Sequence, residues 1–203
     1  GINSPQGYAQ LVVARLAEIS GIPVRLSTNL VEATWDTGAY VQTSGVLKRT
    51  AVKISKICND LRLLSSGPRT GFHEINLPRM QPGSSIMPGK VNPVIPEVVN
   101  QVAFDIIGKD VTITLAAEAG QLELNVMEPI IAFTLFTGIR RLARAFSTLQ
   151  ERCVAGITAN ADRCRQLVEN SIGIATALNT RLGYETSASI AKEALESGRS
   201  VTG

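Results

Sequence analysis

The chain has 203 residues, of which 44% are hydrophobic and 18% are charged, with a formal net charge of +3 and a mean hydropathy of +0.14. It contains no run of eighteen apolar residues and no dense cluster of Lys and Arg. We therefore expect neither a membrane span nor nucleic acid as a partner. The apolar composition instead predicts surface that is reserved for other subunits.

The first residues of the chain, its cysteines and its histidine lead to expectations about cellular compartment and metal binding. Residues 1–4 show no basic or apolar signal segment, and without an initiator Met we interpret the chain as a fragment of a longer polypeptide. Cys58, Cys153 and Cys164 lack metal-ligand spacing, which favours free thiols in a cytoplasmic protein. With His73 as the single histidine, a histidine-based metal site is not expected, and His73 is predicted to be exposed in a loop. No metal or cofactor is predicted.

Two helices are predicted in the first third of the chain. Ser4 and Pro5 favour a helix start, and Gly21 followed by Pro23 favours its end. A second helix is predicted from about residue 34 to residue 65. Within it, apolar residues recur in alternating steps of four and three, as in a heptad seam. The seam consists of Leu47, Ala51, Ile54, Cys58 and Leu61.

Two further long helices are predicted. The third starts near Asn92 or Pro96 and reaches Ala119, with an expected kink at Gly108 and a broad apolar stripe. The fourth follows Pro129 and again has a heptad seam, formed by Ala132, Leu135, Ile139, Leu142, Phe146, Leu149 and Cys153. Two such seams predict an all-α fold in which long helices form an up-down bundle. Shorter helices are predicted at 161–170, 172–178 and 186–197.

The connection between the second and third helices carries the most informative motif. Residues 66–92 are rich in Gly and Pro, and a loop of this length is often functional. Its last part reads GSSIMPGKVNP over residues 83–93. Two hydroxyls, one ammonium group, one amide and unpaired backbone N–H groups together favour anion binding. On composition alone, a plain connector with two capping serines is equally consistent.

This motif resembles the signature of the aspartase/fumarase superfamily, G-S-S-x-M-P-x-K-x-N, at every fixed position. Segments 55–69 and 118–129 resemble the aspartate ammonia-lyases of that superfamily. The resemblance implies that residues 1–159 belong to a central helical-bundle domain. It implies that residues 160–203 are the truncated start of a small helical C-terminal domain. It also implies a homotetramer that shares each active site among three subunits around a multi-helix core.

The resemblance also assigns a base. Ser84, the first serine of the motif, would remove a proton from the carbon beside a carboxylate. A serine hydroxyl is too weak a base unless its alkoxide is stabilised, so backbone N–H groups must act as an oxyanion hole. The N–H groups of Ile86 and Met87 are the candidates.

Further motif residues are implied to bind the substrate. Ser85, Lys90 and Asn92 match substrate-binding positions, with Lys90 and Asn92 on a carboxylate. Proton loss would give a dianionic aci-carboxylate that these donors stabilise more strongly than the substrate. Glu97 would orient a histidine from another segment. Judged without the family, Glu97 is simply a favourable carboxylate at a helix N-terminus.

The implied reaction is the conversion of L-aspartate to fumarate and ammonia. Removal of water from L-malate is an alternative that uses the same loop, and a non-catalytic helical oligomerisation scaffold is a third. Segment 125–129, NVMEP, resembles aspartases, whereas fumarases usually carry Phe-Lys in place of Met127-Glu128. Because this chain matches one of the three active-site segments in full, the fragment is expected to be inactive alone.

Overall fold

The computed structural model describes residues 3–83, 86–87 and 89–201, and the predicted all-α fold of long helices is confirmed in them. None of the described helices is both long and apolar enough to cross a membrane. Two short antiparallel strands, which the sequence analysis did not predict, pair Ile75 with Ala159 and Asn76 with Thr158. The helices are α1 (Tyr8–Ser20), α2 (Gly38–Leu64), α3 (Val94–Glu118), α4 (Glu128–Arg152), α5 (Ala161–Glu169), α6 (Ile174–Leu182) and α7 (Tyr184–Ser197), and the strands are β1 (Ile75–Asn76) and β2 (Thr158–Ala159).

The predicted start of the first helix is wrong. Helix α1 begins at Tyr8, whose N–H bonds the Pro5 carbonyl at 3.1 Å. Gly7 precedes it in the left-handed region, with φ +83°, and this conformation interrupts any helix that starts earlier. The predicted end is confirmed, because Gly21 adopts φ +67° and its N–H bonds the Ala17 carbonyl.

The bounds of α2 and α3 also differ in detail from the prediction. Residues 32–34 form a separate 3₁₀ turn, so α2 begins only at Gly38, whose N–H bonds Asp36 Oδ1 at 2.9 Å. Helix α3 has Pro96 in its first turn, where a missing N–H costs nothing. It continues through Gly108 as one helix, and the kink expected there stays a prediction.

The buried faces confirm one predicted seam and correct the other. Ala51, Ile54 and Cys58 of α2 are buried, as the heptad pattern predicts. In α4 one half of the seam, Leu135, Leu142 and Leu149, is buried. In the other half, Cys153 just beyond the end of α4 is buried, but Ala132, Ile139 and Phe146 are exposed. The residues one position before these three, Ile131, Gly138 and Ala145, are buried instead.

The chain forms two compact units. The first comprises Gly1–Leu47 and Gly108–Thr137. Its core contains Ile113, Ala116, Ile131 and Leu135. It also holds a buried hydrogen bond, in which Ser44 Oγ donates to Asp110 Oδ1 at 2.8 Å.

The second unit comprises Lys48–Ile107 and Gly138–Gly203 and carries the motif loop. Its buried apolar side chains include Cys58, Val99, Ala103 and Leu142. The proposed domain boundary between residues 159 and 160 stays a prediction.

Candidate active site

A cavity of about 510 Å³ lies in the second unit. Three stretches of chain contribute its lining: the end of α2 with the following turn (within 62–68), the segment around β1 (within 73–79) and the end of the motif loop (89–93). The two residues that border α3 on its N-terminal side, Asn92 and Pro93, belong to the third stretch. The long connection predicted to be functional therefore folds back on itself and surrounds a space the size of a small ligand.

The charge of the cavity favours an anion. Arg62, Arg79 and Lys90 line it, and no carboxylate does so among the described residues. Within the same residues, neither Arg79 nor Lys90 has an ion-pair partner. No group of three or more His, Cys, Asp or Glu in the described part of the chain is placed to hold a metal ion. The cavity thus offers cationic and N–H donors to a negatively charged ligand.

Arg62 is positioned by a buried amide of α3. It lies in the last turn of α2, and its Nη1 is 3.5 Å from Asn100 Oδ1, a long contact. The Asn100 side chain is fixed because its Nδ2 donates to Ser55 Oγ at 2.8 Å and to Asn59 Oδ1 at 3.0 Å. With its nitrogen committed to α2, Asn100 presents only its oxygen to the guanidinium.

A tight turn after α2 brings His73 to the cavity. Ser66 holds the turn, since its Oγ accepts the Phe72 N–H at 3.1 Å and its carbonyl accepts the His73 N–H at 2.8 Å. A Cβ on Gly71 would lie 2.4 Å from the Ser66 carbonyl, so only glycine fits there. His73, predicted to be exposed, is half-buried, adopts φ +51° and lines the cavity.

The wall around β1 is held from β2 and the start of α5. Asn76, which lines the cavity, donates through Nδ2 to Asn160 Oδ1 at 2.7 Å and to Thr158 Oγ1 at 3.2 Å. In return, Asn160 Nδ2 donates to the His73 carbonyl at 2.9 Å and to Asn76 Oδ1 at 3.2 Å. Two cavity residues therefore share one supporting side chain.

The two ends of the motif loop are joined at its base. Asn92 Nδ2 donates to the Gly83 carbonyl at 2.8 Å. A Cβ on Gly83 would lie 1.6 Å from the Lys90 carbonyl oxygen, so the close approach of the two ends requires glycine. The Lys90 N–H bonds the Met87 carbonyl at 3.2 Å. Gly83 and the segment 90–92 are therefore held together at the base of the motif loop.

The structure brings together some of the predicted site residues. Lys90 and Asn92 line the cavity. Glu97 is half-buried in the first turn of α3 and does not line it. Ile86 is 83% exposed and Met87 is also exposed, and neither contributes to the lining. The predicted residues Ser84 and Ser85 lie outside the described residues, so their roles stay predictions.

Sequence reasoning missed six lining residues with polar or charged side chains. They are Arg62, Ser65, Ser66, His73, Asn76 and Arg79. A signal existed for Arg62, which occupies the last turn of a helix that leads directly into the suspected loop. For Asn76, the signal would have required knowledge of its pairing with a residue 84 positions later.

Two buried thiols of the second unit, Cys58 and Cys153, are unsuited to nucleophilic or acid–base chemistry. Burial, together with the neighbouring Cys153 thiol, raises the pKa of Cys58 from 9.0 to about 11, and Arg62 partly opposes this rise. Burial also raises the pKa of Cys153. A thiol that stays protonated at neutral pH is a poor nucleophile or base.

Two family models match the chain. One, described as lyase, matches residues 1–108, and the other, described as fumarase C C-terminus, matches residues 174–202. The aspartate ammonia-lyase of Pseudomonas aeruginosa is 67% identical over 201 residues, which is 99% of this chain and 42% of that protein. That of Escherichia coli K12 is 57% identical over the same share of each. The chain therefore spans about 42% of the length of these curated relatives.

Solved structures show the same relationship. The fumarate lyase:delta crystallin from Brucella melitensis bound to cobalt has a TM-score of 0.94 at 58% identity, covering 98% of this chain and 44% of its own. The class II fumarase from Schistosoma mansoni has a TM-score of 0.91 at 31% identity, covering 98% and 45%. These matches confirm the resemblance to the aspartase/fumarase superfamily that the loop motif predicted. With the first 108 of its 203 residues matched by the lyase model, this chain belongs to that lyase family.

Proposed function

We propose that this chain forms part of an aspartate ammonia-lyase, which converts L-aspartate to fumarate and ammonia. The observation that carries the proposal is identity of 57–67% to aspartate ammonia-lyases over 99% of the chain. The class II fumarase, at 31%, is far less similar. The cationic cavity supports the same substrate class, because L-aspartate carries two carboxylates.

In this proposal, Lys90 and Asn92 hold the carboxylate beside the carbon that loses its proton. Among the described residues, Asn92 donates one N–H to the Gly83 carbonyl, and its second N–H is proposed to bind the substrate. Proton removal gives a dianionic aci-carboxylate, and this intermediate has more negative charge than the substrate carboxylate. The ammonium of Lys90 therefore stabilises it preferentially, as catalysis requires. Collapse of the intermediate breaks the C–N bond and releases fumarate and ammonia.

Ser84 is the proposed base, and the backbone N–H groups of Ile86 and Met87 are proposed to stabilise its alkoxide. Ser85 is proposed to bind substrate. Glu97 is proposed to orient a histidine from another segment. The hydrogen bond between Asn92 and Gly83 supports these roles, since it ties both ends of the motif to the cavity that Lys90 and Asn92 line.

We further propose a cytoplasmic homotetramer with active sites shared between subunits, and no activity for this chain alone. Large apolar side chains that stay exposed on the long helices support assembly, for example Phe104 on α3 and Phe136 on α4. All three cysteines are free thiols, which is typical of a reducing compartment.

The test is a chimera in which this chain replaces the 201 aligned residues of the Pseudomonas aeruginosa enzyme. Fumarate formation is followed by ultraviolet absorbance, with L-aspartate and L-malate offered separately. We expect turnover of L-aspartate by the chimera and none by the chain alone. Turnover of L-malate instead would favour a fumarase, and an assembled but inactive chimera would favour a scaffold.

Ser84→Ala in the chimera tests the base. We expect turnover to be abolished while helix content and assembly stay intact, measured by circular dichroism and light scattering. Retention of activity in this variant would exclude Ser84 as the base.

A further inference from the structure

Asn160 makes an unusual set of contacts to the cavity wall. Its Nδ2 donates to the His73 carbonyl and to Asn76 Oδ1, and its Oδ1 accepts from Asn76 Nδ2. Its backbone N–H bonds the Glu74 carbonyl at 2.8 Å. One residue thus makes four hydrogen bonds to three residues of a single short stretch. Two of the three, His73 and Asn76, line the cavity.

Neighbours of Asn160 reinforce the same stretch. Arg163 Nε donates to the Phe72 carbonyl at 3.1 Å. The Cys164 thiol donates to the Glu74 carbonyl at 3.6 Å. Residues 158–164, which form β2 and the start of α5, therefore bond to the stretch 72–76 along its length. Asn160 is the member of this group whose side chain contacts two cavity residues.

The local role expected of Asn160 is absent. Asn is a favoured N-cap residue, and its side chain there usually bonds the first free N–H groups of the helix. Asn160 occupies the N-cap position of α5 but makes no capping hydrogen bond with its side chain. Its carboxamide is instead committed to His73 and Asn76, so α5 gains little from it and the cavity wall gains three bonds.

We infer that Asn160 is a positioning residue, whose carboxamide holds His73 and Asn76 in place at the cavity. Its kinetic consequence rests on the proposed function, but its structural consequence does not. Removing the Nδ2 donor takes away the hydrogen bonds that Asn160 donates to the His73 carbonyl and to Asn76 Oδ1. The wall then loses its defined geometry. Displacement of a site by about 1 Å can lower a rate by about 10²-fold.

Asn160→Asp separates this role from helix stability. The carboxylate keeps an acceptor for Asn76 Nδ2, but it turns an oxygen toward the His73 carbonyl in place of the donor. At the same time, Asp is as good an N-cap as Asn, and a negative charge near a helix N-terminus is favourable. The substitution should therefore leave α5 intact or more stable while it weakens the wall.

Asn170→Asp is the matched control. Asn170 is the exposed C-cap residue of α5, and its side chain makes no hydrogen bond within the described residues. The same chemical change there places a negative charge at the unfavourable end of the helix dipole. If α5 stability controlled the site, the control would be the more damaging variant. The positioning role predicts the opposite order.

The first readout needs no catalysis. The chain contains one histidine, so the imidazole Hε1 proton of His73 gives a single NMR signal of its kind. We expect Asn160→Asp to shift or broaden this signal and Asn170→Asp to leave it unchanged, with both variants retaining their helix content. An unchanged His73 signal in Asn160→Asp would overturn the inference.

The second readout is steady-state kinetics of the chimera. We expect kcat/KM for L-aspartate to fall about tenfold to a hundredfold in Asn160→Asp, with a rise in KM. Loss of folded protein would lower the apparent kcat and leave KM unchanged. Normal kinetics with a displaced His73 signal would overturn the role in the reaction. A wild-type chimera that turns over neither substrate would contradict the proposed function, and the His73 signal would then decide the inference.

Discussion

Lys90 is the cation of the cavity whose contribution can be tested most directly. It is exposed and has no ion-pair partner among the described residues, so its removal should not affect folding. In the chimera, we expect Lys90→Met to lower kcat for L-aspartate about 10²- to 10³-fold, because the aci-carboxylate loses a charged donor. Steady-state kinetics and thermal unfolding of the same samples make the comparison.

Lys53→Met is the control, since Lys53 lies exposed on α2 outside the cavity. This variant should keep its activity. Equal losses from both substitutions would mean that net charge, rather than Lys90 itself, supports turnover.

Cys58 gives the chain a defined sensitivity to alkaline pH. Its pKa is raised by burial from 9.0 to about 11 in the folded state, so the unfolded chain loses this proton first as pH rises. The stability associated with the raised pKa is complete below pH 9 and is lost as pH approaches 11. The loss in unfolding free energy should be about 2–3 kcal/mol.

Urea unfolding at pH 8 to 11 measures this loss, with Cys58→Ala as the reference that retains every other titratable group. The wild-type chain should lose more stability than the variant over this range. Parallel curves for the two proteins would contradict the assignment to Cys58.

At the scale of single residues, the sequence was informative where a short motif contains the whole signal. Lys90 and Asn92 were predicted and line the cavity, because the loop that carries them closes on itself within ten residues. Asn76 was missed because its side chain bonds Asn160, 84 residues away, and the carbonyl of His73 accepts a bond from the same distant residue. Hydrogen bonds over such a distance leave no local pattern to read.

At the scale of elements, α4 shows how two registers of one helix can be told apart. Leu142 is 5% exposed, whereas Ile139 is 44% exposed, although both belong to the predicted seam. In this chain, Leu142→Ala should cost about 2–5 kcal/mol through a lost apolar contact and a cavity. Ile139→Ala should cost less than about 1 kcal/mol. Urea unfolding of the two variants measures the difference, and equal costs would support the predicted seam over the observed one.

The register of α4 could not be read from its sequence because two apolar stripes run side by side. Ile131 and Ala145 lie next to Ala132 and Phe146 in the sequence. Either pair lies three or four residues from the leucines at 135, 142 and 149, so both stripes fit a heptad pattern. The neighbours in the fold decide which stripe is covered. The start of α1 could not be read from the sequence either. It is set by the left-handed backbone conformation of Gly7, which the residue type permits but does not specify.

At the scale of the whole molecule, the apolar residues left exposed are as informative as the buried ones. Helix α3 buries Val99, Ala103 and Ile106 on one side. On another side, Phe104, Val111 and Leu115 remain exposed. Successive members of this exposed set are seven and four residues apart, so they share one face of the helix. Large exposed apolar faces of this kind are typical of surfaces that contact other chains.

We therefore expect this chain to self-associate, and substitution of the exposed face of α3 to prevent it. The double variant Val111→Glu and Leu115→Glu places two carboxylates on a face that is exposed within the chain, so the fold should persist while association is lost. Leu195→Glu on α7, where Leu195 is 68% exposed, is the control for adding charge to an apolar surface position elsewhere. Sedimentation velocity over a concentration series measures the association. A wild-type chain that stays monomeric throughout would contradict the prediction, and equal dissociation by the control would show that charge rather than this face is responsible. Dissociation by the double variant alone would identify α3 as the contact surface.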